Sequence, residues 1–276
     1  MNIAHRFWRA LLGALCLAAA LASAPAHAGR SCENRPLQVW TIERSLTLAE
    51  RTQDALDASG AQVVLLARAG QDLTKYGLRW SHLGFAYKAP ARAGEDNGRG
   101  YGWRVLHKLN HCGTAEAALY RQGLGDFFLD DLWRLEAAWV VPPREVQLKL
   151  HALLLDERRA KALHHKPYSL VSYPWSRTYQ QSNQWAIETL AAALEPSVYS
   201  RERAQEWLRY QGYEPTVLHL GPLTRLGARV SAANVAFDDH PPEKRYSDRI
   251  ETVTVDSVFA WLQRAALAGA PVVLRY

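Results

Sequence analysis

Residues 61–68 read Ala-Gln-Val-Val-Leu-Leu-Ala-Arg, an apolar run with the length and β-branching of a buried strand. A helical pattern of apolar residues precedes it over residues 45–59, and Gly60 is suited to the position just past a helix end. Two further apolar runs, residues 83–87 and 103–109, predict strands on either side of a loop whose four glycines and one proline exclude regular structure. The first part of the chain is therefore expected to form a small β-sheet preceded by a helix.

The later part of the chain alternates between helical and strand patterns. The predicted helices span residues 144–159, 182–194, 200–211 and 256–266, and the predicted strands span residues 135–141, 217–220, 250–255 and 272–274. This order predicts an α+β fold. We expect a core domain over residues 29–195 and a C-terminal α/β extension over residues 196–276, packed on the same domain.

The first 28 residues have the three parts of a secretory signal peptide. A short basic region, an apolar run over residues 10–22 and the cleavage motif Ala26-His27-Ala28 follow one another. The apolar run is too short for a comfortable membrane span, and no later segment offers the roughly 20 apolar residues that a spanning helix needs. We expect a periplasmic or secreted protein with no transmembrane segment after processing.

The charge of the chain is modest and dispersed. The sequence holds 33 Lys and Arg against 27 Asp and Glu, with a pI near 9.3. No basic run with interleaved aromatic residues appears, which argues against a nucleic-acid partner. An anionic envelope surface and simple colloidal solubility are both compatible with this charge.

Two cysteines, Cys32 and Cys112, follow the predicted cleavage site. In an oxidising compartment a lone pair of thiols is most simply a disulfide. The alternative is that Cys112, which follows His111, is a reactive thiol beside imidazoles. A bridged sulfur cannot also be a free nucleophile, so the two interpretations exclude each other.

Three polar residues could form a catalytic group. His82 and His107 fall on neighbouring predicted strands, so their side chains can meet on one face of the sheet. His82 could then act as a general base whose tautomer is held by His107. Ser182 lies in the first turn of a predicted helix, where free backbone N–H groups can stabilise an oxyanion. Ser182 is also a suitable N-cap residue, and the sequence leaves both roles open.

Three segments carry a family resemblance: Trp80-Ser81-His82-Leu83-Gly84, His107-Lys-Leu-Asn110 and Ser182-Asn183-Gln184-Trp185. They resemble segments of the DUF2145 family of exported bacterial proteins, which has no established function. The order of a strand with His, a second strand with His and a helix opened by the nucleophile is also similar to the circularly permuted papain-like NlpC/P60 hydrolases. That resemblance implies a small antiparallel sheet packed on helices, with Ser182, His82 and His107 as catalytic residues. The NlpC/P60 nucleophile is usually a cysteine, and this chain has Ser182 there.

Four other positions are expected to contact a substrate. Ser81, Asn183 and Gln184 adjoin the expected catalytic residues, and Trp175, beside Pro174, could line a groove for an acyl chain or a sugar. No metal is expected, because no His-x-x-x-His or Cys/His quartet is present, and no cofactor is expected either.

Two functions follow from these patterns. The first is an exported hydrolase or acyltransferase that acts on an amide, ester or thioester of an envelope component. The second is a non-catalytic periplasmic module that binds a small molecule, peptide, lipid or protein in a degenerate cleft. The sequence indicates no oligomeric state.

Overall fold

The computed structural model of the chain describes residues 36–91, 98 and 100–276. The signal-peptide prediction and Cys32 lie outside these residues. Within them, no helix is long and apolar enough to cross a membrane.

The helices and strands follow one another in an α+β order. The first half comprises α1 (Val39–Ala58), β1 (Val63–Ala69), β2 (His82–Pro90), β3 (Tyr101–Asn110), β4 (Ala117–Gly123), α2 (Leu124–Phe128), β5 (Arg134–Val140), α3 (Arg144–Leu155) and α4 (Glu157–Lys161). The second half comprises α5 (Ser182–Leu194), α6 (Arg201–Tyr210), β6 (Thr216–His219), α7 (Pro222–Ser231), α8 (Pro242–Arg245), β7 (Arg249–Thr252), α9 (Val255–Arg264) and β8 (Val272–Arg275).

Six strands form one antiparallel sheet in the order β4-β3-β2-β1-β5-β8. Strand β1 is central and buried along its whole length, which explains its continuous apolar sequence. The predicted α+β class with a small antiparallel sheet is therefore correct.

The sheet separates two hydrophobic cores. On one face, Leu83 and Phe85 of β2 pack with Trp185 of α5 and with apolar residues of α3, α6 and α9. On the other face, Ala86 of β2 packs with apolar residues of α1 and with Phe127 of α2. Successive side chains of a strand point to opposite faces, so each strand contributes to both cores.

The C-terminal part of the chain returns to the main sheet. Helix α9 begins with a capping box, in which the side chains of Thr254 and Ser257 each accept a hydrogen bond from the other's backbone N–H. Its Trp261 is buried in the same core as Trp185 of α5. Strand β8 then pairs with β5 at the edge of the sheet. A two-stranded sheet of β6 and β7 encloses a third, smaller core.

Several predicted boundaries differ from the structure. Helix α1 begins six residues earlier than predicted, and the helix predicted over residues 144–159 breaks at Asp156, whose carboxylate caps α4 through the N–H of Arg159. Helix α9 begins at Val255, one residue earlier than predicted, and is capped by Thr254. Strand β4 and helices α2, α7 and α8 were not predicted; β4 has the half-polar sequence of a strand at the edge of the sheet.

Candidate functional site: a buried histidine pair

His82 and His107 meet on one face of the sheet, as their strand positions predict. His82 Nε2 lies 2.8 Å from His107 Nδ1, and His107 Nε2 lies 2.7 Å from Gln122 Oε1. Because Gln122 Oε1 only accepts, His107 donates from Nε2 and accepts at Nδ1, and His82 donates from Nε2. The chain of bonds therefore leaves His82 Nδ1 as an acceptor.

Two neighbours fit closely around the pair. The Phe127 ring packs against both imidazoles, with centroids 5.9 Å from His82 and 5.2 Å from His107. Gly84 lies beside His107: a Cβ atom at this glycine would stand 2.9 Å from Val105 Cγ1 and 3.0 Å from His107 Cβ. The glycine two residues after His82 thus makes room for the second imidazole.

Both imidazoles are neutral at physiological pH. Burial holds the pKa of His82 well below its usual range, and the charge of Arg68 adds to this effect. Burial, together with the charge of Arg68, lowers the pKa of His107 to about 4, although the hydrogen bond to Gln122 acts to raise it. A low pKa keeps the lone pair of His82 free but makes it a weak base.

Arg68 and Asp130 lie on the same face as the histidines. The Arg68 guanidinium donates to the backbone carbonyl of Phe127, forms an ion pair with Asp130 and lies 4.8 Å from the Phe127 ring centroid. Asp130 therefore contacts a cation directly.

The structure does not bring Ser182 to the histidines. Helix α5 packs on the face of the sheet that carries Phe85, whose ring lies 5.8 Å from that of Trp185. His82 points to the opposite face, against Phe127. The expected Ser182–His82–His107 arrangement is therefore not assembled, because the sheet lies between the helix and the two imidazoles.

Ser182 has its own buried surroundings. It is the first residue of α5, it is buried, and it lies near the hydroxyl of Tyr168, whose pKa burial raises. The N-cap role considered for Ser182 belongs to Gln181, whose Oε1 accepts from the N–H of Asn183 at 2.8 Å. The helix N-terminus is thus closed by a side chain of the protein.

A buried polar network that the sequence patterns did not predict lies beside this helix. Lys108 donates to Gln180 Oε1 at 2.8 Å, and Gln180 donates to Glu188, which forms an ion pair with Arg201 at 2.8 Å. Burial, together with the nearby charge of Arg201, lowers the pKa of Lys108 to about 6. The signals in the sequence were a lysine inside a predicted strand and a glutamate inside the apolar helix of residues 182–194.

The expected substrate contacts are used inside the protein. Ser81 Oγ accepts from the N–H of Gly70 at 2.8 Å, and Gln184 Oε1 accepts from Ser172 at 2.7 Å. Asn183 is buried and donates to the backbone carbonyl of Val253 at 3.4 Å. Trp175 is half-buried, packs edge-to-face on Tyr213 and lies under the guanidinium of Arg209.

The described residues contain no group of three His, Cys, Asp or Glu side chains that could hold a metal ion. The pairing of Cys112 with Cys32 stays a prediction, since Cys32 lies outside the described part of the chain.

Two concave surfaces flank α1. A cleft of about 290 Å³ lies between α1, the start of β3 and the start of α2. A more open groove of about 570 Å³ lies between α1, β5 and β8. Neither surface is lined by Ser182, His82 or His107.

Comparisons with known proteins identify one family. No curated protein and no solved structure matched the chain. A family model described as an uncharacterized protein conserved in bacteria, DUF2145, matches residues 55–262, from the end of α1 to α9. The chain therefore belongs to the DUF2145 family.

Proposed function

We propose that this protein is an exported, non-catalytic binding module in which the residues expected to be catalytic have structural roles. One observation carries the proposal: Ser182 packs on the opposite face of the sheet from His82 and His107. A hydroxyl nucleophile needs a base within hydrogen-bonding distance, and a sheet between the two groups prevents this contact.

The bonding of the expected site residues supports the same conclusion. His107 is fully buried, Gln181 caps the helix that Ser182 begins, and Gln184 bonds inside the core. Polar side chains that bond to one another inside a core rigidify it. Two concave surfaces lie along α1, where a ligand or a partner protein can be held.

A fluorophosphonate probe tests the proposal. We expect no time-dependent labelling of Ser182 in the folded protein, with a known serine hydrolase as the positive control. Time-dependent labelling that is lost in Ser182→Ala, while thermal unfolding of that variant is unchanged, would contradict the proposal.

Hydrolysis is the second candidate function, and the histidine relay favours it. The bonds of 2.8 and 2.7 Å from His82 through His107 to Gln122 hold His82 in the tautomer that a general base needs. Under this alternative, a panel of ester, thioester and amide substrates includes one that the protein cleaves. His82→Gln would then abolish that cleavage without unfolding the chain.

We also propose that the fold descends from the permuted papain-like NlpC/P60 fold. The order of a strand with His82, a strand with His107 and a helix opened by Ser182 supports this origin. Ser182 then holds the sequence position of the ancestral cysteine, although α5 covers the face of the sheet opposite the histidines.

Export and disulfide formation belong to the same proposal. The secretory signal motif and the two remaining cysteines support both. Intact-mass measurement of the protein from the periplasmic fraction is expected to give a chain that begins at residue 29, two mass units lighter than its reduced form.

A further inference from the structure

The open groove beside α1, here called the α1–β8 groove, has an apolar floor. Trp139 of β5 and Val272 of β8 are register partners and contribute side chains to the floor, as Leu274 does, while Ala55 and Ala58 of α1 form the wall. Val272 is 47% exposed and Leu274 packs against the core that includes Trp139. The groove is therefore an apolar surface open to solvent.

Strand β8 presents free backbone groups along this groove. The N–H of Tyr276 donates to the carbonyl of Leu135 on β5, and alternate residues of an antiparallel strand bond to the same neighbour. Leu274 and Val272 therefore also face β5, whereas Val273 and Arg275 direct their N–H and C=O groups away from it. Within the described part of the chain, no strand pairs with this outer side of β8.

The charge of the groove has one sign. Arg51 of α1 and Arg275 of β8 line it, and none of its lining residues is acidic. Arg44 precedes Arg51 on α1. Its guanidinium lies over the ring of Tyr276, just after β8, at 5.4 Å from the ring centroid. Arg275 also forms an ion pair with Glu136, but its side chain is 70% exposed.

We propose that β8 and the α1–β8 groove bind an extended acidic peptide of a partner protein, which adds to the sheet as a seventh strand. The peptide backbone bonds to Val273 and Arg275, and alternate apolar side chains enter the groove. The intervening side chains of the peptide point to the other face of the sheet, where Arg275 lies, so carboxylates there pair with its exposed guanidinium, and this charge complementarity selects an acidic partner. The inference rests on the proposed binding function and identifies its class of partner.

The test uses fluorescence anisotropy of the mature chain with labelled eight-residue peptides. The probe alternates Val with Glu, and its control alternates Val with Lys. We expect the Glu peptide to bind about tenfold more tightly than the Lys peptide at low salt, and this preference to shrink as salt is added.

A matched pair of variants tests the backbone contact. Val273→Pro removes an N–H that faces away from β5, and proline is tolerated at such edge positions. Val273→Ala removes the same side chain but keeps the N–H. We expect the Glu peptide to bind the alanine variant and not the proline variant, with both variants folded by circular dichroism.

A second pair tests the charge. Arg275→Gln is expected to abolish the preference for the Glu peptide, whereas Arg158→Gln, at an exposed position of α4, leaves it unchanged. Equal binding of the Glu and Lys peptides, or equal binding by the two Val273 variants, would overturn the proposal.

A dimer seen by sedimentation and lost only in Val273→Pro, without peptide binding, would also overturn the proposal, because it assigns the edge to a second copy of the chain. None of these results bears on Ser182, so a failure here is separate from a failure of the fluorophosphonate experiment.

Discussion

At the scale of single residues, the two histidines are defined by burial and by their shared hydrogen bonds. His107 is fully buried and bonds on both sides, to His82 and to Gln122. Such a group is neutral when the chain is folded and can take up a proton when the chain unfolds. Its effect is therefore measurable as a dependence of stability on pH.

We predict that acid destabilises the fold through His107. Its pKa is about 4 in the folded chain and near 6.5 when unfolded. The unfolded state therefore binds more protons between these values, so stability is lost as the pH falls from about 6.5 to about 4, by up to about 3 kcal/mol. Urea unfolding at pH 7.5 and 4.5 measures the loss.

His107→Gln is expected to show a smaller loss between the two pH values than the wild-type chain. His111→Gln, at an exposed position, serves as the control and should keep the wild-type pH dependence. An unchanged pH dependence in His107→Gln would show that this imidazole does not titrate on unfolding.

Gly84 gives a second prediction at this scale. Gly84→Ala places a methyl group within 3.0 Å of Val105 and His107, so we expect a loss of about 1–3 kcal/mol in the free energy of unfolding. Gly102→Ala is the control, because its Cβ would meet only the Arg104 side chain, at 3.7 Å. Similar urea midpoints for the two variants would contradict the close packing at Gly84.

At the scale of elements, helix α5 is held by a charged pair inside an apolar environment. Glu188 is fully buried and accepts bonds from Arg201, Gln180 and Gln205. Arg201 also donates to the backbone carbonyls of Ser176, Arg177 and Tyr179, which form the segment that leads into α5. The ion pair therefore joins α5, α6 and this segment.

We predict that Arg201→Met costs about 3–5 kcal/mol of stability, because it leaves the Glu188 carboxylate buried without its cation. The double variant Arg201→Met, Glu188→Met removes both charges and should recover part of the loss. Chemical unfolding of the single and double variants measures the coupling. A single variant as stable as the wild type would mean that water replaces the arginine.

At the scale of the whole molecule, helix α9, near the end of the chain, shares a core with α5. Phe259, Trp261 and Leu262 of α9 are buried in the same cluster as Trp185 and Ile187 of α5. Strand β8 covers one side of β5 in the main sheet. The residues after 195 therefore complete the core that the earlier residues begin.

We predict that a chain ending at residue 195 does not fold cooperatively. Removal of residues 196–276 exposes the apolar side chains of α5 that α6 and α9 cover. Burial of apolar surface is the main favourable term in folding, so the shortened chain loses much of its stability. Near-UV circular dichroism and thermal unfolding of the truncated chain should show no sharp transition. A cooperative transition would show that residues 29–195 form an independent domain.

Local patterns in the sequence determined five of the six strands of the main sheet, the bounds of α5 and the meeting of His82 with His107. Hydrophobic period and strand alternation report which side chains share a face, and these features are short-range. Only the tertiary structure decided which face each helix covers, and hence that Ser182 lies across the sheet from the histidines and that Lys108, Glu188 and Arg201 pair in the core. Alternation defines two faces of a strand without assigning either to a helix, because that choice depends on contacts between residues far apart in the chain.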